Sequence, residues 1–205
     1  AWLQNHVCPG RLDAPGVVVC VPKGGWRTGD CVLHIARGGT IVSTEDPAAV
    51  EALVIVETGR MLELRGSMTF RSTHLDAGSR QIEPTKCTRG IVALGAEVVV
   101  QGSAVFEGLC APRSAATPAI LWRPPLGAPG GFSEDLRYDG GAAQAHRFVI
   151  GDGASVTFRG TASLSGSGGA ISGSVIEVRG TGTVTFINTS ALRSGGAVYL
   201  SSDSA

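Results

Sequence analysis

Three carboxylates, Glu63, Glu97 and Glu177, are the side chains best suited by type and setting to acid–base chemistry. Each lies in a short run of alternating apolar and polar residues, so each projects from a strand. Two carboxyl groups about 5–9.5 Å apart across a glycosidic bond can cleave it, one as acid and the other as nucleophile or base. Glu63 and Glu177 hold the same place in two copies of one repeat, at least three coils apart, and all three glutamates read as solvated residues of an outer face. The histidines, His6, His34, His74 and His146, include no pair two or four residues apart, so metal-ligand spacing is missing. His34 sits in an apolar strand and reads as a packing residue. No Gly-x-Ser-x-Gly elbow is present to present a nucleophilic serine. Gly166-Ser167-Gly168-Gly169 lacks the Lys-Ser/Thr of a phosphate-binding loop and reads as a tight corner. Gly151-Asp152-Gly153 is a single triplet of the kind found in calcium-binding turns, without the nonapeptide repeat. No catalytic residue, metal site or cofactor is expected.

The elements that carry these side chains are short strands. Gly makes up 30 of the 205 residues, an excess that needs a backbone reason because Gly weakens regular elements. Four glycine pairs with heptad spacing provide it: Gly59–Gly66, Gly95–Gly102, Gly153–Gly160 and Gly173–Gly180. In each, apolar residues stand third and fifth after the first glycine: Leu62 and Leu64, Val98 and Val100, Val156 and Phe158, Ile176 and Val178. A second alternating stretch then reaches Phe70, Phe106 or Leu164. Alternation at period two, punctuated by glycine, indicates strands with one buried face. No segment holds a helical stripe for ten residues. The pattern predicts an all-β chain, a right-handed parallel β-helix (solenoid) with coils of about 20–25 residues and long corner loops.

Within one domain spanning 1–205, residues 1–50 read as irregular first coils or a cap. Residues 71–92 and 107–148 read as loop insertions, and 149–205 as the most regular coils. The chain reads as a part of a longer protein.

Formal charge is balanced, with 17 basic and 17 acidic residues, and Lys occurs only at Lys23 and Lys86. That leaves no basic footprint for nucleic acid. No apolar run approaches the ~20 residues that span a bilayer. Cys8 and Cys31 are 23 apart in sequence, as are Cys87 and Cys110. Residues one coil apart stack at about the 4.8 Å strand spacing, within reach of a disulfide. Cys8–Cys31 and Cys87–Cys110 are therefore disulfide candidates, leaving Cys20 free, against the alternative of buried thiols. Disulfides imply an oxidising compartment. Asn188-Thr189-Ser190 fits the N-glycosylation acceptor pattern, so Asn188 is a glycan candidate in a secreted eukaryotic chain.

The carboxy-terminal third reads Gly168-Gly169-Ala170-Ile171, then Phe186-Ile187-Asn188-Thr189-Ser190-Ala191, then Gly195-Gly196-Ala197-Val198. This resembles the GGA[ILV] and FxxN repeats of the chlamydial polymorphic outer-membrane proteins, autotransporter adhesins. It is similar to pectin-lyase-like parallel β-helix repeats, which also occur in large surface proteins of algae and protists. Asn188 follows Phe186 by two residues, where the family pattern has three. The resemblance covers roughly residues 150–200. It implies surface display and an adhesive or structural role, with no cofactor or catalytic residue. The enzymes of the same superfamily carry Asn-Thr-Asp, Asp-Asp and Gly-His-Gly, or Arg-x-Pro-x-x-Arg, and none of these patterns occurs here.

The expectation is a non-catalytic extracellular or cell-surface segment of a larger wall, surface or appendage assembly. Its partners would be other protein subunits of a surface or filamentous assembly, and glycans. It would bind no nucleic acid, and this segment would not insert in a membrane. The rival expectation is a polysaccharide-active or carbohydrate-binding protein of the same fold. Loops on a rigid scaffold carry recognition, and Trp, Tyr and Arg dominate contact energies. Trp122, Arg123, Phe132 and Tyr138 are thus the partner-contact candidates; their alternative role is to pin their own loop. Alanine at all four should abolish partner binding while circular dichroism stays unchanged. Unaltered binding by the folded variant contradicts the assignment.

Overall fold

The computed structural model describes residues 1–43, 52–72, 87–111, 140–164 and 166–201. Every regular element among them is a strand. They are β1 (Arg11–Leu12), β2 (Val17–Val21), β3 (Trp26–Thr28), β4 (Cys31–Ser43), β5 (Ala52–Val56), β6 (Met61–Arg71), β7 (Arg89–Val100) and β8 (Ser103–Glu107). There follow β9 (Cys110–Ala111), β10 (Ala143–Ile150), β11 (Ser155–Arg159), β12 (Ala162–Ser163), β13 (Ile171–Val178), β14 (Thr183–Ile187), β15 (Ser190–Ala191) and β16 (Val198–Leu200). No described helix is long and apolar enough to cross a membrane.

All pairings are parallel, each between strands of successive coils. Thirteen strands form one long sheet that curls into a half-barrel, and β9, β12 and β15 form a second. The chain is all-β and solenoid-like, as the sequence predicts. Its amino-terminal part is built of coils too: Arg11 pairs with His34, and Val17–Val21 with Gly39–Ser43. Residues 1–7 run along the outer edge of this first coil. The Cys20 N–H donates to the Ala1 carbonyl, and the Leu3 N–H to the Cys20 carbonyl. The His6 N–H reaches the Arg27 carbonyl, and the Trp26 indole N–H the Gln4 carbonyl.

Parallel register turns the repeat into columns. The inward column Val19–Ile41–Phe70–Phe106–Phe158–Phe186 runs through six levels. Its four rings are stacked with centroids 4.7, 5.0 and 5.4 Å apart. Phe70, Phe106 and Phe158 are fully buried, whereas Phe186, on the last coil, is 37% exposed. The residue that continues Phe70 and Phe106 is thus Phe158. Leu164 instead packs against the cluster of Cys87, Cys110 and Ala162.

The same register reassigns the glycine pairs. Leu62 pairs with Val98, so Gly59–Gly66 and Gly95–Gly102 are equivalent, and Ile176 reaches that column through Phe148. Val156, however, pairs with Ala104, one strand further round the coil. The interval of 20 residues from Gly153 to Gly173 therefore joins different strands of the circuit; Phe158 to Phe186, 28 residues, is a full coil there. Bare coils near the amino terminus do advance by 23, from Arg11 to His34.

A third Gly-Gly-Ala copy, Gly140-Gly141-Ala142, lies level with those at 168–170 and 195–197. The Gly141 and Ala142 N–H groups donate to the Gly168 and Ala170 carbonyls, and those of Gly169 and Ala170 to Gly195 and Ala197. Gly140, Gly168 and Gly195 all have φ between 61° and 72°. A Cβ on Gly141 or Gly169 would strike the Gly169 or Gly196 carbonyl oxygen of the next coil. Only glycine permits this approach.

The stretches read as insertions end in strand. Arg89–Val92 belongs to β7, and Ala143–Phe148 to β10. Gly90 and Ile91 both donate to Ala142 of the next coil.

Phe106 touches a ring on both faces and Phe186 on one. Phe106→Ala should cost about 3–5 kcal/mol, the range for a buried aromatic, and Phe186→Ala clearly less. Urea denaturation of the two variants measures this, and equal losses would contradict the stack.

Candidate interaction surfaces

Both sequence-spaced cysteine pairs are bonded. Cys8–Cys31 and Cys87–Cys110 are disulfides with Cα atoms 5.4 and 5.0 Å apart, and Cys20 is a half-buried free thiol. Each bridge ties one coil to the next, as stacking requires.

The outward columns carry the charges. Glu63 and Glu177 do share one column, three coil steps apart, with Val99 and Val149 between them. Glu97 lies in the neighbouring column, level with Arg147. Arg147 gathers two of the glutamates: its guanidinium is 3.8 Å from Glu97 and 2.6 Å from Glu177. Arg179 adds bonds of 2.7 and 3.3 Å to Glu177, and Arg65 pairs with Glu63 at 2.8 Å. Sequence reading missed this cluster because Arg147 fell inside a supposed loop.

The cluster is poorly suited to general acid catalysis, which needs a carboxyl held protonated near neutral pH. Hydrogen bonds from Arg179 and then Arg147 instead lower the Glu177 pKa from 4.5 to about 2. A second ladder, Arg71–Glu107–Arg159, lies one face round with both separations at 3.8 Å.

Asp152 is a clamp between coils. Its carboxylate accepts from the Thr181 N–H at 2.8 Å and the Thr181 hydroxyl at 2.9 Å, and these bonds hold its pKa below the usual range. The Asp30 carboxylate likewise accepts from the Met61 N–H of the next coil at 2.9 Å. The Gly151-Asp152-Gly153 turn therefore spends its carboxylate on stacking. His34 is half-buried on the outer side of β4, level with Arg11 and Arg65, so it is not a core residue. His6 lies 3.1 Å from Glu57, and His146 is exposed on β10. No group of three metal-ligating side chains occurs among the described residues. His74, Trp122, Arg123, Phe132 and Tyr138 lie outside the described residues.

Two surfaces remain among the described residues. The outer side of β6, β8, β11 and β14 presents Ser67, Ser103, Ser155 and Thr183 in one column and Thr69, Val105, Thr157 and Thr185 in the next. These columns hold no aromatic ring on which a sugar could stack. The other surface is the last coil, where Val175, Val178, Phe186, Ile187, Leu192 and Leu200 are all exposed. There β14, β15 and β16 each pair on one side among the described strands. The strand signal was legible in the sequence; the gathering of apolar residues on one coil was not, because it depends on which coil lacks a neighbour.

Comparison with protein-family models, curated proteins and solved structures gave no match.

The Glu177 pKa sets a sign. Because the folded value lies below 4.5, the Glu177 pairs stabilise the fold fully above about pH 4.5, and that contribution is lost as pH falls towards 2. Glu177→Gln should flatten this part of the melting-temperature profile, and added salt should shrink the difference. Profiles that superimpose between pH 4.5 and 2 contradict the pairing.

Proposed function

We propose that this chain is a non-catalytic, structural or adhesive segment of an extracellular surface, wall or appendage assembly. It is built as a right-handed β-helix whose partners are other protein subunits and glycans. The observation that carries this reading is the column-matched stack itself, tied coil to coil by two disulfides. At the first coil, residues 1–7 occupy the edge hydrogen bonds. Large apolar residues are exposed at both ends, Trp2, Val7 and Val18 at the first coil and Val178, Phe186 and Leu200 at the last described one, where β14, β15 and β16 each pair on one side among the described strands. Soluble proteins blunt such edges with charge, proline or a covering segment. Thr183-Val184-Thr185-Phe186-Ile187 has no charge and no proline, and its residues favour strands. A further parallel coil, whether of the same protein or of a second copy, with an apolar residue over Phe186 satisfies both the backbone and the ring.

Two disulfides favour an oxidising compartment and so support the extracellular reading. The Gly-Gly-Ala column supports the kinship with surface-displayed β-helix repeats. The polysaccharide-active alternative needs a carboxyl that can hold a proton or a row of aromatics, and the arginine-bound Glu177 and the Ser/Thr columns supply neither.

Sedimentation velocity over a range of concentrations tests the end-face reading. The chain should self-associate through its open coil, and Phe186→Arg should return it to monomer, while Val105→Arg on the outer side should not. A wild-type chain that stays monomeric at every concentration contradicts the end-face reading. Turnover of pectin or alginate by the purified protein contradicts the non-catalytic one.

A further inference from the structure

The corner that follows β8, β11 and β14 is a column of Gly108, Gly160 and Asn188. All three are left-handed, with φ of 63°, 58° and 52°. The Gly108 N–H donates to the Arg159 carbonyl, and the Gly160 N–H to the Ile187 carbonyl, so the corners are level from coil to coil. Asn is, after Gly, the residue that adopts this conformation most readily. The backbone alone therefore explains an Asn at 188.

It does not explain the rest of the triplet. Ser190 continues the column Cys110–Ala162, whose other members are buried and lack a hydroxyl, and Ser190 itself is exposed. The chain has only two asparagines, Asn5 and Asn188, and only Asn188 is followed two residues on by Ser or Thr. The direction of the side chain is also set. A Cβ built on Gly160 meets nothing within 4 Å, so this corner points its substituent into open space. Asn188 repeats the same backbone on the next coil and is exposed. No described hydrogen bond engages its carboxamide.

We propose that Asn188 carries an N-linked glycan. The inference rests on the extracellular reading, because the modification occurs on chains entering a eukaryotic secretory pathway. The donor is a lipid-linked oligosaccharide diphosphate. The carboxamide nitrogen of Asn188 bonds to the anomeric carbon of the sugar, and the bond from that carbon to the phosphate oxygen breaks. The lipid diphosphate leaves and the nitrogen loses one proton; nothing is oxidised or reduced. The glycan stands off the corner, lateral to the stack. It shields the side of the last coil next to β14 and leaves the end face, which points along the axis, free for a further coil.

The column supplies variants that remove the acceptor without disturbing the fold. Asn188→Gly reproduces Gly108 and Gly160, and Ser190→Ala reproduces Ala162. The chain should be produced by secretion from eukaryotic cells and measured as intact protein before and after peptide-N-glycosidase treatment in heavy-oxygen water. Wild type should lose a glycan mass and gain one labelled aspartate at 188. Both variants should emerge folded, disulfide-bonded and without the glycan. A secreted, disulfide-bonded wild-type chain with unmodified Asn188 overturns the glycan and leaves the extracellular reading standing. Free thiols together with an unmodified Asn188 overturn both.

Discussion

A parallel strand in this chain satisfies its backbone only when the next circuit of the same chain lies beside it, in register and running the same way. Every other feature follows from that constraint. Because each residue sits over its counterpart one coil away, like side chains collect into columns, and a choice made at one level is imposed on the next. The phenylalanine stack is the apolar form of this rule. Burial of flat rings face to face fills the core without polar atoms, and stacked aromatics add to the area term. The Gly-Gly-Ala column is its backbone form, where carbonyls of adjacent coils approach too closely for any side chain. The ladder Arg71–Glu107–Arg159 is its electrostatic form: opposite charges alternate along one column because like charges one strand apart repel.

The same constraint makes the ends special. An interior coil has two neighbours and an end coil has one. The first coil meets this with residues 1–7, which lie along its edge and occupy its carbonyl and N–H groups. The last described coil leaves its valines, Phe186 and Leu200 open. Apolar exposure on the last described coil and ion pairs on the flank are thus two consequences of one arrangement. Glu177 is held ionised by Arg179 and Arg147, and Asp152 by the turn of the next coil.

Much of this was legible in the sequence where a residue type has a single structural meaning. Alternation gave the strands, the shared 23-residue separation gave both disulfides, and glycines marked the corners. Register was harder. The motif at Gly153 has the same form as those at Gly59 and Gly95 but falls one strand further round, because alternating strands on different sides of a coil look alike. Phe158 was consequently assigned to the wrong column and Leu164 to its place. Arg147 was hidden for a related reason: polar and small residues before Val149 look like loop, yet Ala143 and Ala145 face the core. Small residues there permit close packing beneath the sheet, a demand that composition alone does not reveal. The exposure of the last coil is a property of position in the stack and has no local sequence signal.

The disulfide map of the natively purified protein, read by mass spectrometry of non-reduced peptides, tests the coil register most directly. Stacked coils in the register described here predict Cys8 joined to Cys31 and Cys87 to Cys110, with Cys20 as the free thiol. Crossed pairings, or Cys20 in either bridge, would place the wrong residues one coil apart and contradict the account at its base.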